Sequence, residues 1–380
     1  MRLVVSGGGT GGHIYPAIAV ARRFLNQDPG AAILFVGSSS GPEKAAAAAA
    51  GLDFEGIELK GFAGKSPVEK VKALGLFSRG TRAARRIVRD FSPDCVLGTG
   101  GYASAPACVA AAWLRVPLVL IEMNVRPGIV TRTLARRAEA VAVAYPATAE
   151  ELKKARVVVT GVPVRPEVEA LADEAAREQA KLEARVIFRL EDGRKTLLVF
   201  GGSQGAKTVN DAIISKLRAL EGRADLQVLH IAGSAGIEEA EKAASCMEGA
   251  RLIYRPVRYI EKIYMAYAVS DLALCRSGAS TIAELSAARL PAVLVPFPYA
   301  TGAHQESNAE QAAAAGAAVV VRQTGGCAAG AVAAALDLLS DDENLRRMAR
   351  AAGRLAGSGS KGVASLIEEI REGARGRGAR

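Results

Sequence analysis

The sequence is short of the residues that a metal centre or a disulfide scaffold needs. It holds three histidines, His13, His230 and His304, too few for a histidine-rich metal site. Its five cysteines, Cys95, Cys108, Cys246, Cys275 and Cys327, stand far apart without a CxxC pair, which excludes a disulfide framework and a zinc ribbon and leaves them as small buried residues. Long hydrophobic runs are also missing, and the N-terminus reads as a strand without the basic flank and apolar core of a signal peptide. The expectation is a protein made and kept in the cytosol.

What is present points to a two-domain α/β protein. With 380 residues, half of them hydrophobic, the chain exceeds the size at which single cores stop growing. Its net charge of +10 is unevenly spread: residues 1–162 carry 21 Lys and Arg against 12 Asp and Glu, and the remainder 28 against 27. Much of the excess lies in KGFAGKSPVEKVKALGLFSRGTRAARRIVRD, whose basic residues run from Lys60 to Arg89 with Leu74, Leu76 and Phe77 among them.

Strand-length apolar runs at 2–6, 32–37, 94–98, 117–121 and 140–144 alternate with helical patterns near 15–26, 41–50, 68–90, 103–113 and 128–138, the rhythm of a parallel sheet covered on both faces. Pro163 and Pro166 follow a strand-like VVVTG and mark a junction. The rhythm then restarts, with strands near 195–200, 226–231, 251–254, 271–275 and 292–295 and helices near 206–220, 259–269, 279–289, 304–315 and 342–356. Two Rossmann-like halves facing across a cleft follow, with ligands held by the loops after the strands.

Four of those loops are rich in small residues. The first, Gly7-Gly8-Gly9-Thr10-Gly11-Gly12-His13, satisfies G-x-G-x-x-G, but the second strand ends in Gly37 and Ser38 where a dinucleotide site needs an acid. The others are Gly98-Thr99-Gly100-Gly101-Tyr102, Gly201-Gly202-Ser203-Gln204-Gly205-Ala206-Lys207-Thr208 and Cys275-Arg276-Ser277-Gly278-Ala279-Ser280-Thr281. The third misses the P-loop pattern at Ala206, which argues against ATP hydrolysis. Tight turns alone would explain one such loop. Four, in both halves, favour phosphate held by backbone N–H groups at helix N-termini.

The segments GGGTGGHIYPAIAVA, DCVLGTGGYASAP, PVR at 163–165, LLVFGGSQGA, CRSGASTIAELSAARLP and HQESNAEQAAAAGAA, in this order, closely resemble glycosyltransferase family 28, the lipid II-forming UDP-N-acetylglucosamine–N-acetylmuramyl-(pentapeptide) pyrophosphoryl-undecaprenol N-acetylglucosamine transferases. The resemblance implies a B-type glycosyltransferase fold. Its acceptor domain would span 1–162, its UDP-GlcNAc domain 163–357, and a last helix, near 360–374 within 358–380, would cross back to the first domain ahead of a disordered basic tail. It implies inverting transfer of GlcNAc to the C4 hydroxyl of the MurNAc of lipid I, with no cofactor and no metal. Carried over by position, Ile260 meets the uracil, Glu284 the ribose, and Ser203, Arg276, Ser277, Gly278 and Ala279 the donor diphosphate. Gln305 and Asn308 hold sugar hydroxyls, and Arg165, Thr10, Gly11, Gly12 and Asn124 complete the UDP-GlcNAc contacts. The acceptor diphosphate falls to Gly9, Thr99, Gly100, Gly101 and Tyr102. Where the family usually has HEQN this chain has IEMN, keeping Glu122 and Asn124, and Val162 replaces a common Asn.

Sugar transfer needs a base and a positive setting for the departing UDP. His13, at a helix N-terminus after the first glycine loop, is the first candidate base, and Glu122, at a strand end, the second. No D-x-D pair is present, so Arg276, loop amides and a helix dipole are expected to steady the leaving group. A UDP-sugar 2-epimerase, a related glycolipid synthase and a non-catalytic nucleotide-sugar sensor are the rival readings. The expected partners are UDP-GlcNAc, lipid I, an anionic membrane surface on the cytoplasmic side, where the protein would bind peripherally, and cell-wall and division machinery. Nucleic acid is not expected, since no RNA-binding aromatic motif accompanies the basic stretch. Its apolar-plus-basic character suits a membrane surface.

Overall fold

The computed structural model describes residues 1–59, 67–202, 205–300, 303–323 and 328–378, with backbone alone for 67–74, 329 and 375–378. Contacts divide the chain into two units, Met1–Arg165 with Gly357–Arg380, and Pro166–Ala356.

The first unit is a seven-stranded parallel sheet of β1 (Arg2–Ser6), β2 (Ala32–Ser38), β3 (Asp53–Ile57), β4 (Cys95–Gly98), β5 (Leu118–Glu122), β6 (Ala140–Val143) and β7 (Val157–Val159), in the order β3-β2-β1-β4-β5-β6-β7. Its central strands are buried on both faces, which is why LVV, AVAV and LVLI read as unbroken apolar runs. The order reverses between β1 and β4, where Ser6 lies opposite Gly98, so the loops after these two strands leave side by side at the topological switch point. Helices Gly11–Gln27, Glu43–Ala49, Pro67–Phe91, Ala105–Leu114, Ile129–Leu134 and Pro146–Glu151 connect the strands. The last helix, Gly359–Gly378, returns to this unit and packs on Gly11–Gln27, as the resemblance implies. Gly359 N–H and Ser358 Oγ both donate to Thr160 O, at 2.7 and 3.1 Å, and Arg156 pairs with Glu369 at 2.8 Å.

The second unit repeats the plan with six parallel strands, β8 (Lys195–Phe200), β9 (Leu226–Ile231), β10 (Ile253–Val257), β11 (Leu272–Cys275), β12 (Ala292–Leu294) and β13 (Ala318–Val320), ordered β10-β9-β8-β11-β12-β13. Its switch point lies between β8 and β11, so the loops after Phe200 and Cys275 adjoin. One side of this sheet buries a polar cluster. Asn210 Nδ2 donates to Ala232 O (2.8 Å), which leaves Asn210 Oδ1 to accept from His230 Nε2 (3.1 Å) and His230 Nδ1 to accept from the Tyr254 hydroxyl (2.7 Å). This neutral imidazole satisfies every partner, and burial lowers the His230 pKa to about 4.

Several elements differ from the sequence reading. β3 and β13 were not expected: β3 is an edge strand whose DFEGI is largely exposed, and β13 has three residues, so neither carries a long apolar signal. Helices Pro146–Glu151, Ile237–Ser245 and Ala329–Leu339 were also unforeseen. The expected helix at 206–220 breaks at Ser215 into Lys207–Ile214 and Leu217–Leu220, and the one at 128–138 ends as a helix at Leu134.

Candidate active site

In the first unit the two loops at the switch point interlock. Thr99 Oγ1 donates to His13 O at 2.6 Å and Thr99 N–H to Ser6 O at 2.9 Å. Gly101 has φ +76°, and a Cβ there would stand 2.1 Å from Gly8 O, so only glycine admits this approach. Helix Gly11–Gln27 begins after Thr10, whose side chain makes no capping bond. The N–H groups of Gly11 and Gly12 therefore open the helix without the usual side-chain acceptor, the setting in which helix N-termini take anions. Gly9 differs: its N–H donates inward to Glu43 Oε1 at 2.8 Å. Tyr102, about one-third exposed, brings its ring beside Gly9.

His13 Nδ1 stands 2.8 Å from Thr99 O. A carbonyl only accepts, so Nδ1 carries a proton, and in the neutral ring the lone pair is then on Nε2, the tautomer a general base requires. Glu122 is arranged otherwise. It is buried, Oε1 accepts from Asn124 N–H and Asn124 Nδ2, both at 3.1 Å, and Oε2 accepts from Gly128 N–H at 2.8 Å. Three donors on one carboxylate tie the loop from Glu122 to Gly128 to the end of β5. The Arg165 guanidinium lies 3.8 Å over the Tyr15 ring, on the helix that follows the first glycine loop.

In the second unit the loops after β8 and β11 flank a pocket of about 480 Å³, lined by Gly201, Gly202, Gly205, Lys207, Thr208, Arg276, Gly278, Thr281, Phe297 and Gln305 among others. Helices Lys207–Ile214 and Ala279–Ala287 begin at Ala206 and Gly278, again without side-chain caps. Arg276 Nη1 donates to Val295 O (3.1 Å), Pro296 O (3.2 Å) and Gln323 Oε1 (3.0 Å), and the guanidinium rests 5.4 Å from the Phe297 ring centre. Half-buried, its pKa falls below the ordinary arginine value, yet it stays cationic. Ser277 is buried and its hydroxyl donates to Gln305 O at 2.8 Å, while Gln305 Oε1 accepts from Phe297 N–H at 2.9 Å. These bonds fix both sides of the pocket.

Of the residues singled out in the sequence, Arg276, Gly278 and Gln305 meet in this pocket, Ala279 begins the helix that follows Gly278, and Ser277 and Asn308 are buried and not among the lining residues. Ser203 falls outside the described residues. Glu284 and Ile260 are not among the lining residues. Glu284 is on the helix that starts at the pocket, its Oε2 accepting from the Tyr267 hydroxyl at 2.8 Å, and Ile260 is buried just before helix Ile263–Val269. In the first unit Thr10, Gly11, Gly12, Thr99, Gly100 and Gly101 gather around His13. Thr281, from the fourth loop, lines the pocket, whereas Phe297 and Glu43 carry no signal in the sequence: Phe297 sits in a VPFP loop without a motif, and Glu43 stands outside the four glycine loops. Among the described residues no three His, Cys, Asp or Glu group to hold a metal ion.

Residues 3–143 match the glycosyltransferase family 28 N-terminal domain and residues 196–370 the family 28 C-terminal domain. A UDP-N-acetylglucosamine–N-acetylmuramyl-(pentapeptide) pyrophosphoryl-undecaprenol N-acetylglucosamine transferase of Halothermothrix orenii is 37% identical over 382 residues, covering 98% of this chain and 100% of the relative. A Moorella thermoacetica protein of the same name is 36% identical over 376 residues, covering 97% and 98%. Among solved structures, Acinetobacter baumannii MurG superposes with a TM-score of 0.74 at 27% identity, covering 97% of this chain and 99% of that one. Neisseria meningitidis UDP-GlcNAc 2-epimerase, with a TM-score of 0.68 at 14% identity and coverage of 97% and 99%, shares the fold. With both domain matches, in order, and full-length relatives above one-third identity, the chain belongs to glycosyltransferase family 28.

Proposed function

We propose that this protein transfers N-acetylglucosamine from UDP-N-acetylglucosamine to the C4 hydroxyl of the MurNAc sugar of undecaprenyl-pyrophosphoryl-MurNAc-pentapeptide, forming lipid II with inversion at the anomeric carbon. The observation that carries this reading is the end-to-end similarity to transferases of that name. The uncapped helix starts at Gly11, Lys207 and Ala279 support it, since both substrates carry diphosphates.

In the reaction the C4 oxygen attacks the anomeric carbon, the bond from that carbon to the UDP oxygen breaks, and the hydroxyl proton passes to His13 Nε2. Thr99 O holds the imidazole in the tautomer that can accept it. Negative charge gathering on UDP is met by Arg276 and by the N-terminus of helix Ala279–Ala287. Glu122, with three donors on its oxygens, holds the loop that bears Asn124. Glu284 takes the ribose hydroxyls, and Gln305 and Asn308 the sugar.

The first unit is further read as docking on an anionic membrane surface from the cytoplasmic side. Arg79, Arg82, Arg86 and Arg89 are exposed along helix Pro67–Phe91. Helix Ala105–Leu114 packs beside it and carries Trp113, which is 62% exposed. Lys60 and Lys65 lie outside the described residues, and of Lys70, Lys72 and Leu74 only the backbone is described. No helix among the described residues is long and apolar enough to cross a membrane.

Labelled UDP-GlcNAc with a short-chain lipid I analogue tests the function. A lipid-linked disaccharide is the expected product. Conversion of UDP-GlcNAc without acceptor, or binding without turnover, would replace the reading by an epimerase or a sensor.

A further inference from the structure

Glu43 opens the helix Glu43–Ala49, in a stretch, GPEKAAAAAA, that reads as a solvated helix start. Yet it is 0% exposed. A buried carboxylate survives only when its surroundings compensate it. Oε1 accepts the Gly9 N–H at 2.8 Å, and Oε2, equally buried, meets no hydrogen-bond donor among the described residues. The walls of its niche are glycine. A Cβ on Gly41 would stand 1.8 Å from Oε2, one on Gly8 2.0 Å from Oε1, and one on Gly37 3.0 Å from the Glu43 Cβ. Two of these glycines lie at and after the end of β2 and one in the first glycine loop, so a single side chain ties those segments together.

The consequence concerns the direction of the loop's donors. Gly9 has φ +88° and turns its N–H inward to the carboxylate. Beyond Thr10, Gly11 and Gly12 then start the helix. We infer that Glu43 is a positioning residue that sets the backbone of Gly8 to Gly12 for the acceptor's diphosphate, acting through Gly9 without touching the substrate, which gives to the acceptor the Gly11 and Gly12 amides that the resemblance assigns to UDP-GlcNAc. The inference rests on the acceptor reading above.

The test is steady-state kinetics of the full chain, varying UDP-GlcNAc and the short-chain lipid I analogue separately. Glu43→Ala removes the acceptor for the Gly9 N–H, and an acceptor KM about tenfold higher is expected with the donor KM unmoved. Glu43→Gln keeps an oxygen for Gly9 and should stay within about threefold of wild type. The three atoms nearest a Cβ at Gly41 all belong to the Glu43 carboxyl group, so Gly41→Ala should reproduce the acceptor defect. Adding Gly41→Ala to Glu43→Ala should then cost nothing more. That double variant refills the vacated niche with a methyl group and carries the test should Glu43→Ala not fold. Unchanged acceptor KM, or donor and acceptor KM rising together, would overturn the inference. If the function itself is misread, the wild type makes no lipid-linked disaccharide, an outcome distinct from either.

Discussion

Single side chains in the second unit show how position is maintained at one remove from a ligand. Tyr267 is buried, and its hydroxyl donates to Glu284, the proposed ribose ligand. Glu284→Ala is expected to raise the donor KM by about tenfold to a hundredfold, the loss of hydrogen bonds to a charged group, with little change in melting temperature. Tyr267→Phe should move the same constant in the same direction by less. A donor KM unchanged in Glu284→Ala would remove the carboxylate from the site. His230 makes a different prediction, about stability. Its folded pKa of about 4 lies below the unfolded value of 6.5, so between these values the unfolded chain binds more protons. The contribution of His230 is whole above pH 6.5 and falls away as the pH drops towards 4, by about 3 kcal/mol. Melting temperature against pH should therefore slope more steeply across that window in wild type than in His230→Gln, and parallel curves would show that another group governs acid unfolding.

Elements with period or with bulk were legible in the sequence, and elements without either were not. β1, β4, β8 and β11 announce themselves because both faces are buried, and the four glycine-rich loops of the sequence follow them. β3, exposed at the sheet edge, has no such signal. Glu43 could not be recognised because its burial comes from glycines in two separate segments, a tertiary fact that no local pattern carries. Helix Pro67–Phe91 is a mixed case. Its inner stripe of Gly80, Thr81, Ala84 and Val88 is buried as the helical period demands, but Leu76 and Phe77, expected to face a membrane, are half-buried, and the exposed aromatic is Trp113 on the neighbouring helix. Sedimentation with vesicles containing anionic lipid should therefore lose more binding from Trp113→Asp than from Phe77→Asp. Charge reversal at Arg79, Arg82 and Arg86 should weaken binding at low salt and matter less at high salt, since each contributes about 1 kcal/mol near an anionic surface. Undiminished binding by both the tryptophan and the arginine variants would put the surface elsewhere.

At the scale of the whole chain, the two units differ in how they are closed. Pro166–Ala356 is continuous and has its own core, built on Leu197, Val199, Val228, Leu272, Leu274 and Val293. The first unit is discontinuous, because its helix Gly11–Gln27 is covered by Gly359–Gly378, the last element of the chain. That helix buries Val363, Leu366, Ile367 and Ile370 to 4% exposure or less. At about 1.5–3 kcal/mol for each large apolar side chain, those four alone represent about 6–12 kcal/mol, comparable to the entire stability of a typical domain. A chain ending at Ala356 should then keep a folded, UDP-binding second unit while its first unit unfolds or aggregates, whereas a chain ending at Glu372 should resemble the full protein. Differential scanning calorimetry with UDP titration checks this: one transition, shifted upward by UDP, should survive in the shorter chain, because only a unit that binds ligand in its folded state gains stability from it. If that chain instead keeps both transitions of the full protein, the last helix is an ornament to the first unit and not its cover.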